Sequence, residues 1–197
     1  MRILRLTRRT SLLLPLLLAA CGGDQQTVFR RLRYDYLPPI SLNVRSVDIE
    51  ARFAPSGVPP DIGGKSPVDP IATLRQMAED RLKALGNADR AVFSISDASL
   101  IRRDDLIRGS MEVTLEIVTD DGRHAGYAQA RVSRRHTGHI DDLQATLYEM
   151  VSGMMDSMNV ELEFQAKQHL QTWLAAPPAP AETAPVDASP LANPTRR

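Results

Sequence analysis

The sequence predicts an α+β fold. The expected architecture is a single antiparallel or mixed sheet of about four strands with two helices on one face, in the order β-α-β-β-β-α. Three observations carry this. Met111, Val113, Leu115 and Ile117 alternate with Glu112, Thr114 and Glu116. Apolar residues recur every three or four positions from Ile71 to Leu85, and again from Leu143 to Trp173. Between these helical stretches, strands end at turn-forming residues.

Taken in order, Pro38-Pro39 marks the start of the first strand, Ser41–Phe53. Leu42 and Val44 share one face, and Val47, Ile49 and Ala51 continue in the opposite phase. A one-residue phase shift predicts a bulge near Arg45-Ser46. Residues 54–67 hold four prolines and three glycines and form a long loop. Asp69-Pro70 reads as N-cap and first residue of a helix. Ile71, Leu74, Met77, Ala78, Leu82 and Leu85 give it an apolar stripe, and Gly86-Asn87 ends it.

Residues 90–101 and 111–118 are the next two strands, and Asp120-Asp121-Gly122 turns the chain back. On the return strand, residues 123–136, small side chains (Ala128, Ala130) point one way, which predicts a helix lying close above them. Asp141 or Asp142 caps the last helix. Its stripe of Leu143, Leu147, Met150, Val151, Met154, Met158, Leu162, Ala166, Leu170 and Trp173 covers about 30 residues, or ~45 Å. Strands of ~10 residues do not match that length, so the helix is expected to overhang the sheet, bend near Gly153 or meet a partner. Met154 and Met155 are adjacent, so one falls at the edge of the stripe. Met154, Met155 and Trp173 are therefore the expected partner-contact residues.

Of the 197 residues, 43% are hydrophobic but only 5% aromatic, so the core rests on Leu, Ile, Val, Met and Ala. The formal net charge is zero. Four of the 24 basic residues, Arg2, Arg5, Arg8 and Arg9, lie in the first ten positions, where there is no acidic residue. Without that segment 20 basic side chains face 24 acidic ones, a net charge of −4. Such a balance argues against nucleic acid as a partner, which takes a basic surface.

Those arginines precede an apolar run, residues 12–18, broken only by Pro15. It is too short to cross a ~30 Å hydrocarbon layer and has the build of a cleaved signal. Leu18-Ala19-Ala20-Cys21 resembles the lipobox of bacterial lipoproteins, and Cys21 is the only cysteine in the chain. The resemblance implies cleavage between Ala20 and Cys21. It also implies a covalent diacylglycerol and N-acyl lipid, such as palmitate, on Cys21. Acyl chains bury ~0.8 kcal/mol per methylene, so membrane lipid becomes the first partner. Residue 22 is Gly rather than the Asp that holds enterobacterial lipoproteins in the inner membrane, which favours the outer membrane.

The expected organisation is a signal peptide over 1–20, a lipidated flexible tether over 21–39 and the α+β domain over 40–175. A Pro/Ala-rich disordered tail follows over 176–197. Tyr36-Leu37-Pro38-Pro39-Ile40, Ala78-Glu79-Asp80-Arg81-Leu82 and Tyr148-Glu149-Met150 resemble stretches of small, uncharacterised proteobacterial envelope lipoproteins, a similarity that implies no activity. The order of elements is loosely similar to that of lipopolysaccharide-assembly lipoproteins and of ABC-type transport auxiliary lipoproteins. That likeness implies an accessory role beside an integral envelope protein.

Enzymatic signatures are weak. His136-Thr137-Gly138-His139 lacks companion ligands and reads as a loop before the last helix. Asp104-Asp105 and Asp120-Asp121 continue into no calcium loop. Gly63-Gly64-Lys65-Ser66 has the end of a phosphate loop without its leading glycine, and Pro67 argues against a helix there. No catalytic residue, metal or cofactor is expected. The sequence points to a periplasm-facing, membrane-anchored binding or assembly accessory of an envelope complex. The competing reading is a ligand-binding protein or hydrolase with Asp61 and Lys65 beside loop 54–67.

Overall fold

The structure is a computed structural model and describes residues 28–175. Six strands and two helices form an α+β fold. They are β1 (Ile40–Leu42), β2 (Ser46–Ala51), α1 (Pro70–Arg81), β3 (Leu82–Ala84), β4 (Arg90–Arg103), β5 (Leu106–Val118), β6 (His124–Thr137) and α2 (Leu143–His169). The main sheet has the order β2-β4-β5-β6, and β1 and β3 form a separate two-stranded parallel ribbon. β2 runs parallel to β4, while β4, β5 and β6 form an antiparallel meander.

The expected first strand is thus divided between two sheets. Where the alternation changes phase, the chain does not bulge. It leaves the ribbon and joins the main sheet. The same division occurs on its partner: β3 accompanies β1, and β4 accompanies β2. The two segments run side by side, joined across the gap by Gly86 N to Val44 O (2.9 Å) and Arg45 N to Ala88 O (3.0 Å). A Cβ on Gly86 would lie 2.5 Å from the Asn43 carbonyl carbon, so only glycine permits this approach.

Helix α1 begins as expected, with Asp69 Oδ1 accepting from Ile71 N at 2.8 Å and Pro70 in the first turn. It ends earlier than its apolar spacing suggests. Leu82 is extended (φ −83°, ψ 123°) and opens β3, so Leu82 is buried in the ribbon and Leu85 is exposed.

One face of the main sheet is the floor of the core. Aligned across the strands, Ala91, Phe93 and Ile95 meet Ile117, Leu115 and Val113, which meet Gly126, Ala128 and Ala130. Every one of these except Gly126 is fully buried. α1 covers this face beside β2 and β4, and α2 covers it over β5 and β6. The small residues of β6 do mark the seat of a helix. A Cβ on Gly126 would lie 2.7 Å from Leu170, and one on Gly109 would lie 2.6 Å from Met154. These contacts fix the direction of α2: Met154 stands over Gly109 near the start of β5, beside the end of β6, and Leu170 over the start of β6.

The length mismatch disappears because the strands are long. β4 and β6 have 14 residues and β5 has 13, about 45 Å each. α2 has 27 residues, about 40 Å, so helix and sheet match in length and the helix continues unbroken through Gly153. It stops at His169, and Trp173 belongs to a short 3₁₀ turn, Gln171–Trp173. That turn brings the chain back to β1, where Asn43 N donates to Trp173 O (2.6 Å) and Ala175 N to Ser41 O (2.9 Å).

The other face of the sheet is largely polar and exposed, although Val92 and Ser94 on β4 are buried there. Thr114, expected in water, is buried there between its cross-strand neighbours Ser94 and Gln129, and Gln129 donates to Glu112 at 2.6 Å.

Candidate functional site

Cys21 and Ala20, the expected lipidation and cleavage residues, lie outside the described residues, as does the expected tail. The nearest described part is the segment joining them to the domain, and it is not free coil up to residue 39. Residues 29–38 are strapped along the helices. Phe29 packs against Tyr148 in a tilted pair with ring centroids 5.2 Å apart, and the Tyr148 hydroxyl donates to Arg30 O at 3.2 Å. Arg33 pairs with Asp80 at 3.1 Å, and Tyr34 N donates to the same carboxylate at 2.8 Å. Burial opposes ionisation of Asp80, but the Tyr34 amide, Arg33 and Gln76 outweigh it and hold the carboxyl below the usual range.

The strap ends on a buried arginine. Arg81, 1% exposed, sits at the last turn of α1. Its Nε and Nη2 donate to Pro38 O at 3.2 and 2.9 Å. Nη1 donates to Asn159 O and Oδ1 at 3.1 and 3.2 Å, and Nη2 donates to Glu163 Oε2 at 2.6 Å. One guanidinium therefore ties the N-terminal segment, α1 and α2 together. Lys167 and Arg81 hold the Glu163 carboxyl below its ordinary value. Above the strap, Tyr34 is 3% exposed, its hydroxyl has no hydrogen-bond partner among the described residues, and burial raises its pKa. Arg81 stands in one of the stretches that carried the lipoprotein resemblance, but nothing in its spacing revealed that it is buried.

The expected partner-contact residues fare differently from expectation. Met154 and Met155 are 1% and 0% exposed. α2 is covered on two sides, by the sheet and by α1 with the strap, so both adjacent side chains find an interior. Neither is available to a partner. Trp173 is partly buried against the core. The large apolar side chains α2 leaves in water are instead Val160 and Phe164, one turn apart, at 71% and 53% exposed.

Loop 54–67 does not bring its candidate groups together for chemistry. Asp61 folds back on its own loop, accepting from Gly63 N (2.8 Å), Gly57 N (3.2 Å) and Ser56 Oγ (3.2 Å). The Gly63 amide is the main cause of its lowered pKa. Lys65 is exposed. The 210 Å³ cavity beside the loop is lined by Phe53, Pro55 and Ile71 with Asp69, whose carboxylate is already occupied in capping α1. The loop's structural role is to extend the β4 edge past the end of β2, with Ile62 N donating to Leu100 O (2.8 Å) and Arg102 N to Pro60 O (2.9 Å). His136 lies on β6, and His139 is exposed with Nε2 3.2 Å from Asp141. Among the described residues no three His, Cys, Asp or Glu side chains converge as a metal site.

A second feature lies at the end of the sheet formed by the β4–β5 turn and the end of β6. On the open face, Ile101 pairs with Arg108 and Arg108 with Arg135, while Arg103 pairs with Leu106 and Leu106 with Thr137. Ile101, Arg103, Leu106 and Arg108 line a shallow depression of about 390 Å³. Neither composition nor motif singled out these residues in the sequence.

The fold and site together define a small α+β domain with a latched N-terminal strap and an arginine-rich end. No family model matches the chain, and no curated protein matches it. Among solved structures, it is similar to a minor lipoprotein from Acinetobacter baumannii, at 11% identity and a TM-score of 0.32, over 69% of this chain and 99% of that one. No helix among the described residues is long and apolar enough to cross a membrane.

Proposed function

We propose that this chain is a lipid-anchored envelope protein that serves as a non-enzymatic binding or assembly accessory. Cys21 carries the lipid, and the domain faces the periplasm, at the outer membrane. The single observation that supports the reading most is Leu18-Ala19-Ala20-Cys21, placed after a basic and apolar leader and holding the chain's only cysteine. The strap agrees with it. A domain that already holds Phe29, eight residues past Cys21, stays close to whatever Cys21 is attached to. An integral envelope protein is the expected partner, met through exposed surface such as Val160 and Phe164 rather than through Met154 or Met155.

Metabolic labelling with an alkyne fatty acid, with and without globomycin, tests the anchor. The wild-type chain is expected to label and the Cys21→Ala chain not to. An unlabelled wild-type product ends the reading. Affinity purification from mild detergent, with mass spectrometry of associated chains, tests the accessory role. Recovery of the protein alone under several cross-linking conditions counts against it.

A further inference from the structure

We infer that the end of the sheet carrying Arg103, Arg108 and Arg135 is a docking surface for anionic lipid head groups, so that the domain stands end-on against the bilayer. This rests on the anchored reading for its orientation, but the charge argument is independent of it.

Three observations converge. First, Arg108 and Arg135 stand directly opposite each other on adjacent strands, an arrangement that destabilises a sheet unless an anion offsets it. Arg103 shares their face one row nearer the turn. All three are exposed, and none makes an ion pair among the described residues. The acids of the turn, Asp104 and Asp105, form no ion pair with them either. Second, Arg103 and Arg108 line a depression whose apolar part is Ile101 and Leu106, and Arg135 stands beside Arg108 on the next strand. Guanidinium donors around an apolar floor suit the phosphate and glycerol region of a lipid, because the planar fork grips phosphate oxygens while the floor meets hydrocarbon. Third, the chain enters the domain at this same end. β6 finishes at Thr137 and α2 starts at Leu143, running back toward the start of β6. Tyr148, which holds Phe29 and Arg30, lies in the second turn of α2 and so beside the end of β6. From Cys21 to Val28 is seven residues, a reach of at most ~25 Å. A lipid on Cys21 keeps this end of the sheet near the head groups.

The test is vesicle sedimentation of the Cys21→Ala chain made without residues 2–20, which has neither the basic, apolar leader nor an acyl group. It is expected to pellet with vesicles of phosphatidylglycerol in phosphatidylcholine and not with phosphatidylcholine alone. The R103Q/R108Q/R135Q variant is expected to bind about a hundredfold more weakly at low salt, about fivefold per arginine. The control R45Q/R90Q/R123Q, at the opposite end of the sheet, is expected to stay near the parent. Millimolar inorganic phosphate is expected not to compete. Circular dichroism melts check folding, and the single variants R108Q and R135Q replace the triple if it does not fold. Equal binding by the tip variant, an equal loss in the control, no preference for phosphatidylglycerol, or full competition by phosphate overturns the proposal. So does loss of a co-purifying acidic protein with vesicle binding unchanged. Because the acyl chains are absent, failed fatty-acid labelling leaves this result standing, and failed vesicle binding leaves the anchor untouched.

Discussion

Arginine occupies two opposite situations in this molecule. Arg81 is enclosed, and each nitrogen of its guanidinium meets an oxygen of Pro38, Asn159 or Glu163. Arg103, Arg108 and Arg135 stand in solvent on neighbouring strands, and none is in an ion pair among the described residues. At the other end of the same sheet, exposed arginines are paired, Arg45 with Asp120 at 2.9 Å and Arg90 with Asp48 at 3.3 Å. The contrast separates two uses of one side chain. A buried guanidinium with all its donors met holds segments in register. Exposed ones left against like charge trade a little stability for a surface that attracts anions.

The strongest way to break the comparison is Arg81→Ala. It leaves the Pro38 carbonyl and the Glu163 carboxylate without their buried partner, and is expected to cost about 3–5 kcal/mol. The melting temperature should drop by roughly 10 °C or more. A drop of only a few degrees removes the latch as a structural idea. Gly109→Val comes next. It drives a branched side chain into Met154 above β5, and overpacking of this kind costs about 1–3 kcal/mol in chemical denaturation.

Acid titration sharpens the role of Glu163. Its folded pKa lies below the unfolded value, so the folded state binds fewer protons than the unfolded chain between the two. The contribution is complete above the ordinary glutamate pKa and is lost as the pH falls through the folded one. Wild-type stability should therefore decline with acid below the usual glutamate range, and Arg81→Met should flatten that decline. The smallest effects belong to the exposed arginines. Arg45→Ala should cost under about 1 kcal/mol, whereas Arg108→Gln should cost nothing or stabilise slightly by relieving Arg135. A clear loss at Arg108 would mean that it is paired after all.

Much of the fold is readable from local chemistry. Asp69-Pro70 caps α1, Asp142 accepts from Ala145 N at 3.0 Å to cap α2, and Gly122 takes φ +83° in the β5–β6 turn. Each is decided by neighbours a few residues away. The α+β class follows, since one apolar side per element leaves few ways to close a core. What is not readable depends on distant partners. Leu82 and Leu85 continue the helical spacing of α1, but the chain becomes extended at Leu82 because Ile40–Leu42 offers it a ladder 42 residues away. The lengths of β4 and β5 were likewise hidden, because Arg102, Arg103 and residues 106–110 read as the connection between two shorter strands and are in fact strand. The same misreading concealed the arginine-rich end. Met154 and Met155 show the converse: adjacency implies that one lies at an edge only if the helix is covered on one side, and α2 is covered on two.

The two ends of the described chain leave the domain far apart. Phe29 is held beside the second turn of α2, while Ala175 is hydrogen-bonded to Ser41 beyond the helix's last turn, roughly 30 Å away along the helix axis. A pull exerted between them would run lengthwise through the molecule. It would first strain the Phe29–Tyr148 pair and the Ala175–Ser41 bond, with the long β4–β5–β6 meander bearing little of the load until these yield. The body is thus built as a strut, with a sacrificial fastening at each tip.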